Sequence, residues 1–126
     1  MNFRTTLGVR GEEAAVRYLI KKGYKIIERN FKRSWGEIDI IARTKDKVLA
    51  FVEVKTMSVS SDDGLKPENQ MTRGKLKRFS RAASLYAGSH SDLINDQQGW
   101  RLDVLALTVD GKDFSIKHYQ NITVDK

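Results

Sequence analysis

The chain has 126 residues, 40% of them hydrophobic, with a net charge of +7 and no cysteine. At this length folding buries roughly two-thirds of the unfolded chain's surface, enough for a core without staples. The missing thiols exclude disulfides and thiolate metal sites. No apolar run approaches the ~20 residues of a membrane span, and MNFRTTLGVRGEEAA carries no signal-type apolar stretch. The expectation is a cytoplasmic protein, away from membranes, whose excess positive charge favours a polyanion, chiefly nucleic acid.

In chain order, Thr6 to Lys22 has helical periodicity and stops at Gly23, a residue suited to a helix C-terminus. YKIIERNF (24–31), GEIDIIAR (36–43) and KVLAFVEVKT (47–56) read as strands. The polar stretch 57–70 holds the only proline, Pro67. It exceeds the usual connection length and is expected to be a mobile loop. Thr72 to Gly88 is helical, with Leu76, Phe79, Ala83 and Tyr86 on one face. A polar connection at 90–99 leads to strands at 100–109 and 114–122 around Asp110-Gly111. The order α-β-β-β-α-β-β predicts one domain over residues 1–126. It contains an antiparallel three-stranded meander, a helical crossover and a mixed sheet with a helix on each side, an α/β sandwich.

Three acidic residues break this pattern. On a helical wheel Val9, Ala15, Val16, Leu19 and Ile20 form an apolar stripe, and Glu12 falls in its middle. Asp39 sits among isoleucines in EIDII. Glu53 and Lys55 interrupt LAFVEVKT, where a core would use aliphatics. Strict alternation puts Glu37, Asp39 and Ile41 on one face. Setting Asp39 opposite Glu53 requires a turn centred on Asp46, with Lys45-Asp46-Lys47 as its loop. Gathered together, Glu12, Asp39 and Glu53 would bring about three negative charges, and Lys55 returns one. One divalent cation neutralises the remainder, and all-oxygen donors suit Mg²⁺ or Mn²⁺ rather than zinc.

Asp39 followed by Glu53-Val54-Lys55 resembles the D…(D/E)-x-K signature of the restriction-endonuclease-like, PD-(D/E)XK, nuclease superfamily. More specifically, GEEAAVRYLIKKGYKIIERNFKRSWGEIDIIA followed by FVEVKT resembles the YraN-like family of small bacterial predicted endonucleases, which is related to Holliday junction resolvases. The match runs from Gly11 to Thr56 and continues more loosely through Lys75–Ala83 and RLDVLAL. The resemblance implies a restriction-endonuclease-like mixed five-stranded sheet and a metal-dependent nuclease acting on DNA, branched DNA included. It implies that Asp39, Glu53 and the Val54 carbonyl ligate the metal, that Glu12 completes the site, and that Lys55 positions or polarises water. A homodimer follows only from the resolvases, whose substrate is two-fold symmetric. Ile38 departs from the proline of some superfamily members, and Met57 stands where an arginine is expected.

Other readings stay open. The alternative for Asp39, Glu53 and Lys55 is a buried ion pair, which adds little stability. The alternative function is a non-catalytic nucleic-acid-binding protein on a nuclease fold. Arg73, Lys75, Lys77, Arg78 and Arg81 suit phosphate contacts as a set, and each alone suits a solvated helix face. Glu37 reads as a supporting or solvated carboxylate, and Asp103 as a structural partner of Arg101. Trp35 and Trp100 read as sheet-edge packing, with base stacking as the alternative. His90 and His118 carry no assigned role.

Overall fold

A computed structural model describes residues 6–58 and 72–123. Its elements are α1 (Thr6–Lys21), β1 (Lys25–Arg33), β2 (Gly36–Arg43), β3 (Leu49–Ser58), α2 (Arg73–Ser89), β4 (Trp100–Asp110) and β5 (Asp113–Tyr119). A 3₁₀ turn at Ser91–Leu93 follows α2. Met57 and Ser58, expected in the long loop, extend β3. Residues 59–70 of that loop lie outside the described residues.

The strands form one sheet in the order β1-β2-β3-β4-β5. β1, β2 and β3 are an antiparallel meander, β4 lies parallel to β3, and β5 returns antiparallel. α1 covers one face through Ala14, Ala15 and Leu19, against Ile40, Ala42, Ala50, Val52, Leu105 and Leu107. α2 covers the other through Phe79, Ala82, Ala83 and Tyr86, against Ile38, Ile41, Leu49, Phe51 and Leu102. This is the expected mixed α/β sheet with a helix on each side. Among the described residues no helix is long and apolar enough to cross a membrane.

The β2–β3 turn follows the parity argument. Arg43 pairs with Leu49 and Ile40 with Val52, so the turn centres on Asp46. Thr44 organises it: its N–H donates to the Val48 carbonyl (2.9 Å), its hydroxyl accepts from Val48 N–H (3.0 Å), and Asp46 accepts from the same hydroxyl. Lys47 takes the left-handed conformation (φ 69°) that closes such a three-residue loop.

Two expectations fail. The α1 stripe is rotated, since Val9 and Ile20 are 40% and 56% exposed, whereas Gly11, Ala14, Ala15 and Leu19 are buried. Glu12 therefore flanks the stripe, half-buried, instead of centring it. The cause is Gly11, which lies flat on β3, where an added Cβ would run into the Thr56 side chain. A wheel that scores only apolar residues cannot register such a contact. Alternation also breaks at Asp39, because Ile38 packs under α2 while Ile40 packs under α1. The break lies between the β1–β2 pairs Arg29–Ile40 and Phe31–Ile38, and Asn30 on β1 takes a left-handed φ of 53° there.

The Gly11 contact gives a test with a definite sign. In an open helix Gly→Ala gains up to about 1 kcal/mol. Against Thr56 the added methyl is expected to reverse this, so Gly11→Ala should lose about 1–3 kcal/mol in urea denaturation. A stabilised variant would show that α1 does not pack so closely on β3.

Candidate functional site

The site begins where β2 and β3 separate. From the Thr44–Val48 bond at the turn, antiparallel alternation makes Ile40–Val52 a hydrogen-bonded pair and Ile38–Val54 the next. The ladder ends at Ile40–Val52. Val54 N–H donates instead to Asp39 Oδ2 at 2.8 Å. Asp39 thus replaces a missing backbone acceptor with a charged one, the stronger kind of hydrogen bond.

Glu53 is half-buried and hydrogen-bonded to Asp39. Its carboxyl is pushed up to about 9, first by desolvation and then by the Asp39 hydrogen bond and charge, with Lys55 opposing. With the proton on, Glu53 donates to Asp39. Without it, two carboxylates face each other in a partly desolvated place.

Two cavities meet here. One of about 270 Å³ is lined by Gly36, Glu37, Glu53, Lys55, Lys75, Arg78 and Phe79. The other, about 610 Å³, is lined by Glu12, Asn30, Phe31, Lys32, Glu37, Ile38 and Asp39. The fold therefore brings Asp39 and Glu53 into contact and sets Lys55 in the Glu53 cleft. Glu12 shares the larger cavity with Asp39, and Glu37 borders both. Of the α2 cations, Lys75 and Arg78 line the cleft. Arg73, Lys77 and Arg81 are exposed residues of the same helix and do not line it.

α2 is itself unusual. Thr72 caps it by accepting from Lys75 N–H (3.2 Å). Its first half then carries Arg73, Lys75, Lys77 and Arg78, and the helix has no acidic residue. Cations near a helix N-terminus oppose the macrodipole, so this arrangement serves an anion better than it serves the helix.

The acidic donors present only oxygen, which fits a hard divalent cation. A carboxyl that keeps its proton to about pH 9 beside a second carboxylate is also what such a cation relieves. Among the described residues no three acidic, histidine or cysteine side chains are already gathered as a ligand shell. Asp39 and Glu53 form a pair, with Glu12 across the adjoining cavity.

Comparison with known sequences places this geometry in a family. The model of the uncharacterised protein family UPF0102 matches residues 11–107. The chain is a member of the UPF0102 family. It is similar to a UPF0102 protein of Syntrophomonas wolfei, at 40% identity over 91% of this chain and 95% of the other. It is also similar to that of Geobacter metallireducens, at 40% identity over 92% and 90%, and to that of Trichlorobacter lovleyi, at 37% over 91% and 87%. The YraN-like resemblance is borne out. The matched segment of this UPF0102 protein contains Glu12, Asp39, Glu53, Lys55, Lys75 and Arg78, and stops before β5.

A second polar cluster is legible in the sequence only as its Arg101–Asp103 pair. Asp103, fully buried, accepts from Arg101 Nε (3.0 Å), Asn121 N–H (3.0 Å) and His118 Nε2 (2.8 Å). Because a carboxylate only accepts, Nε2 carries a proton, and Nδ1 is hydrogen-bonded with the Tyr18 hydroxyl (3.2 Å). Arg101 also donates to Tyr24 (2.7 Å). Asp103 does pair with Arg101 as expected, while His118, Tyr18 and Tyr24 join it through strand and helix placement that no local motif signals. The cluster braces β5 and the following residues against α1.

The two carboxyls respond oppositely to pH. An ordinary glutamate titrates near 4.5, and Glu53 holds its proton to about 9. Between these values the unfolded chain releases a proton that the fold keeps, so the stability penalty grows as pH rises. Glu53→Gln retains a donor toward Asp39 and removes the penalty. Its melting temperature should exceed wild type by roughly 4 °C or more at pH 8 and converge on it near pH 4.5. Equal melting at pH 8 would sink the shifted carboxyl.

For Asp103 burial opposes ionisation, yet His118, the Asn121 N–H and Arg101 outweigh it and hold the carboxyl below its usual range. Its stabilisation is therefore complete above the ordinary aspartate value and lost as pH falls through the depressed one. Asp103→Asn should cost about 3–5 kcal/mol at neutral pH in urea denaturation, with the gap narrowing below about pH 4. A cost under about 1 kcal/mol would show that the brace is dispensable.

Proposed function

We propose that this UPF0102 protein is a metal-dependent nuclease that hydrolyses phosphodiester bonds in DNA. The observation that carries the reading is Glu53, held protonated to about pH 9 against Asp39, in a cleft whose other charged walls include Lys55, Lys75 and Arg78. Two facing carboxyls suit a divalent cation, and the positive walls of the cleft suit an anion, so a metal and a phosphate fit the same place.

Asp39, Glu53, the Val54 carbonyl and Glu12 are the donors that would hold Mg²⁺ or Mn²⁺. When bound, such a cation supplies Lewis-acid stabilisation of phosphoryl charge and lowers the pKa of water. The chain's own residues account for the rest. Lys55 shares the cleft with Glu53, which suits its ammonium to a phosphate oxygen or to the lone pair of the attacking water. Lys75 and Arg78 suit the DNA backbone, contacts that position a strand without reading its sequence. Asp39 is fixed by Val54 N–H, so the carboxylate pair is preorganised on a strand rather than on a loop.

The test is cleavage of a panel of duplex, flap and four-way-junction DNA with Mg²⁺ or Mn²⁺. Wild type should cut at least one substrate. Glu53→Ala should lower the rate by at least about 10²-fold while keeping native circular dichroism. Wild type inactive across the panel with both metals would overturn catalysis. Binding that falls with salt yet ignores Mg²⁺ and Glu53→Ala would leave a nucleic-acid-binding protein on a nuclease fold.

A further inference from the structure

The hairpin joining β1 to β2 carries an aromatic residue that the site described so far does not use. Arg33 pairs with Gly36, leaving Ser34-Trp35 as a two-residue turn. The turn is fastened down, because an added Cβ on Gly36 would stand 2.9 Å from the Ala82 Cβ of α2. Trp35 packs on Phe31 (centroids 5.7 Å apart), and the Arg33 guanidinium lies over the same phenyl ring (4.4 Å). Yet 38% of Trp35 stays exposed.

Position separates Trp35 from the chain's other exposed indole. Gly36 and Glu37, directly after Trp35, line the cleft that holds Glu53, Lys55, Lys75 and Arg78. Trp100 is 36% exposed but pairs with Leu49 at the start of β3, four residues before Glu53. That is about 13 Å along the strand. Trp100 also sets its ring edge-on to Phe51 (5.4 Å, 88°). Of the two indoles, only Trp35 leads directly into residues that line the cleft.

Resting on the nuclease reading, we infer that Trp35 is a stacking platform for an unpaired DNA base next to the phosphate held in the cleft. The protein therefore selects strands with a splayed or single-stranded nucleotide over intact duplex. An indole face accepts any base, because every base has a π-face, and stacking needs that base to have left its own helix. Lys32 and Arg33 precede the turn in β1, and Lys75 and Arg78 line the cleft that Gly36 and Glu37 enter, so backbone-binding charge lies on both sides of that cleft's β1–β2 hairpin wall. Phe31 beneath holds the indole in place, so little conformational freedom is lost on binding.

The experiment uses the full chain in EDTA, so that binding is read without cleavage. In a Trp100→Phe background Trp35 is the sole tryptophan, and its emission, excited selectively over the tyrosines, should be quenched by a dT oligonucleotide at fixed low salt. Trp35→Ala should weaken that binding about 5- to 100-fold, the range of one lost base stack. Trp35→Phe should keep most of the affinity, and a blunt duplex of equal length should change less than about twofold. Absence of quenching, or equal losses on single strand and duplex, would overturn the platform. Tighter binding of the matching rU oligonucleotide would overturn the assignment to DNA. A protein that passes these tests and cuts nothing keeps the platform and loses the nuclease, and an active one that fails them does the reverse.

Discussion

The bond from Val54 N–H to Asp39 Oδ2 marks the point where β2 lets go of β3, and the chemistry of the site depends on it. β3 stays paired with β4 through Ser58, so beyond Val52 it is held on one side and open on the other. Glu53 and Lys55 lie on that half-open stretch, rigid in backbone yet reachable from the cleft. An open edge normally leaves an orphan amide. Here a carboxylate takes it, which ties the acid's position to the place where pairing ends.

Three locally unfavourable features lie beside the cleft. Glu53 and Asp39 set two carboxyls against each other in a partly desolvated place, and α2 carries its cations at the end its dipole disfavours. Asn30 adds a left-handed non-glycine conformation across from Asp39. Each costs stability, and the apolar cores under α1 and α2 offset the cost without sharing in it. Clustered violations of local rules beside an open cleft are what a functional site produces.

How much of this is legible in sequence depends on whether a rule reaches far enough. β2 is read end to end because GEIDIIAR is short, apolar and bounded by Gly36 and Thr44. The β2–β3 register follows from one constraint, that Asp39 face Glu53, and the Thr44–Asp46 turn satisfies it. The rotation of α1 is not legible, because a glycine's close approach to Thr56 decides it and hydropathy is blind to glycine. The change of face at Asp39 is hidden for a similar reason, since a backbone angle at Asn30 on the neighbouring strand accompanies it. His118 and Tyr18 are a hundred residues apart and meet Asp103 only through the sheet and α1.

The comparison of Glu53 with Asp103 separates structural from chemical carboxyls within one fold. Asp103 is wholly buried yet holds its charge, because His118, Arg101 and a backbone N–H all donate to it. Glu53 gives its charge up, first because it is desolvated and then because the group beside it is another acid, Asp39, which Lys55 does not offset. Burial pushes both carboxyls up, and only Asp103 has the donors that outweigh it. A carboxyl saturated with donors has nothing left to offer a ligand. One that lacks them, facing a cleft with three cations, has both an unmet need and access to what would meet it.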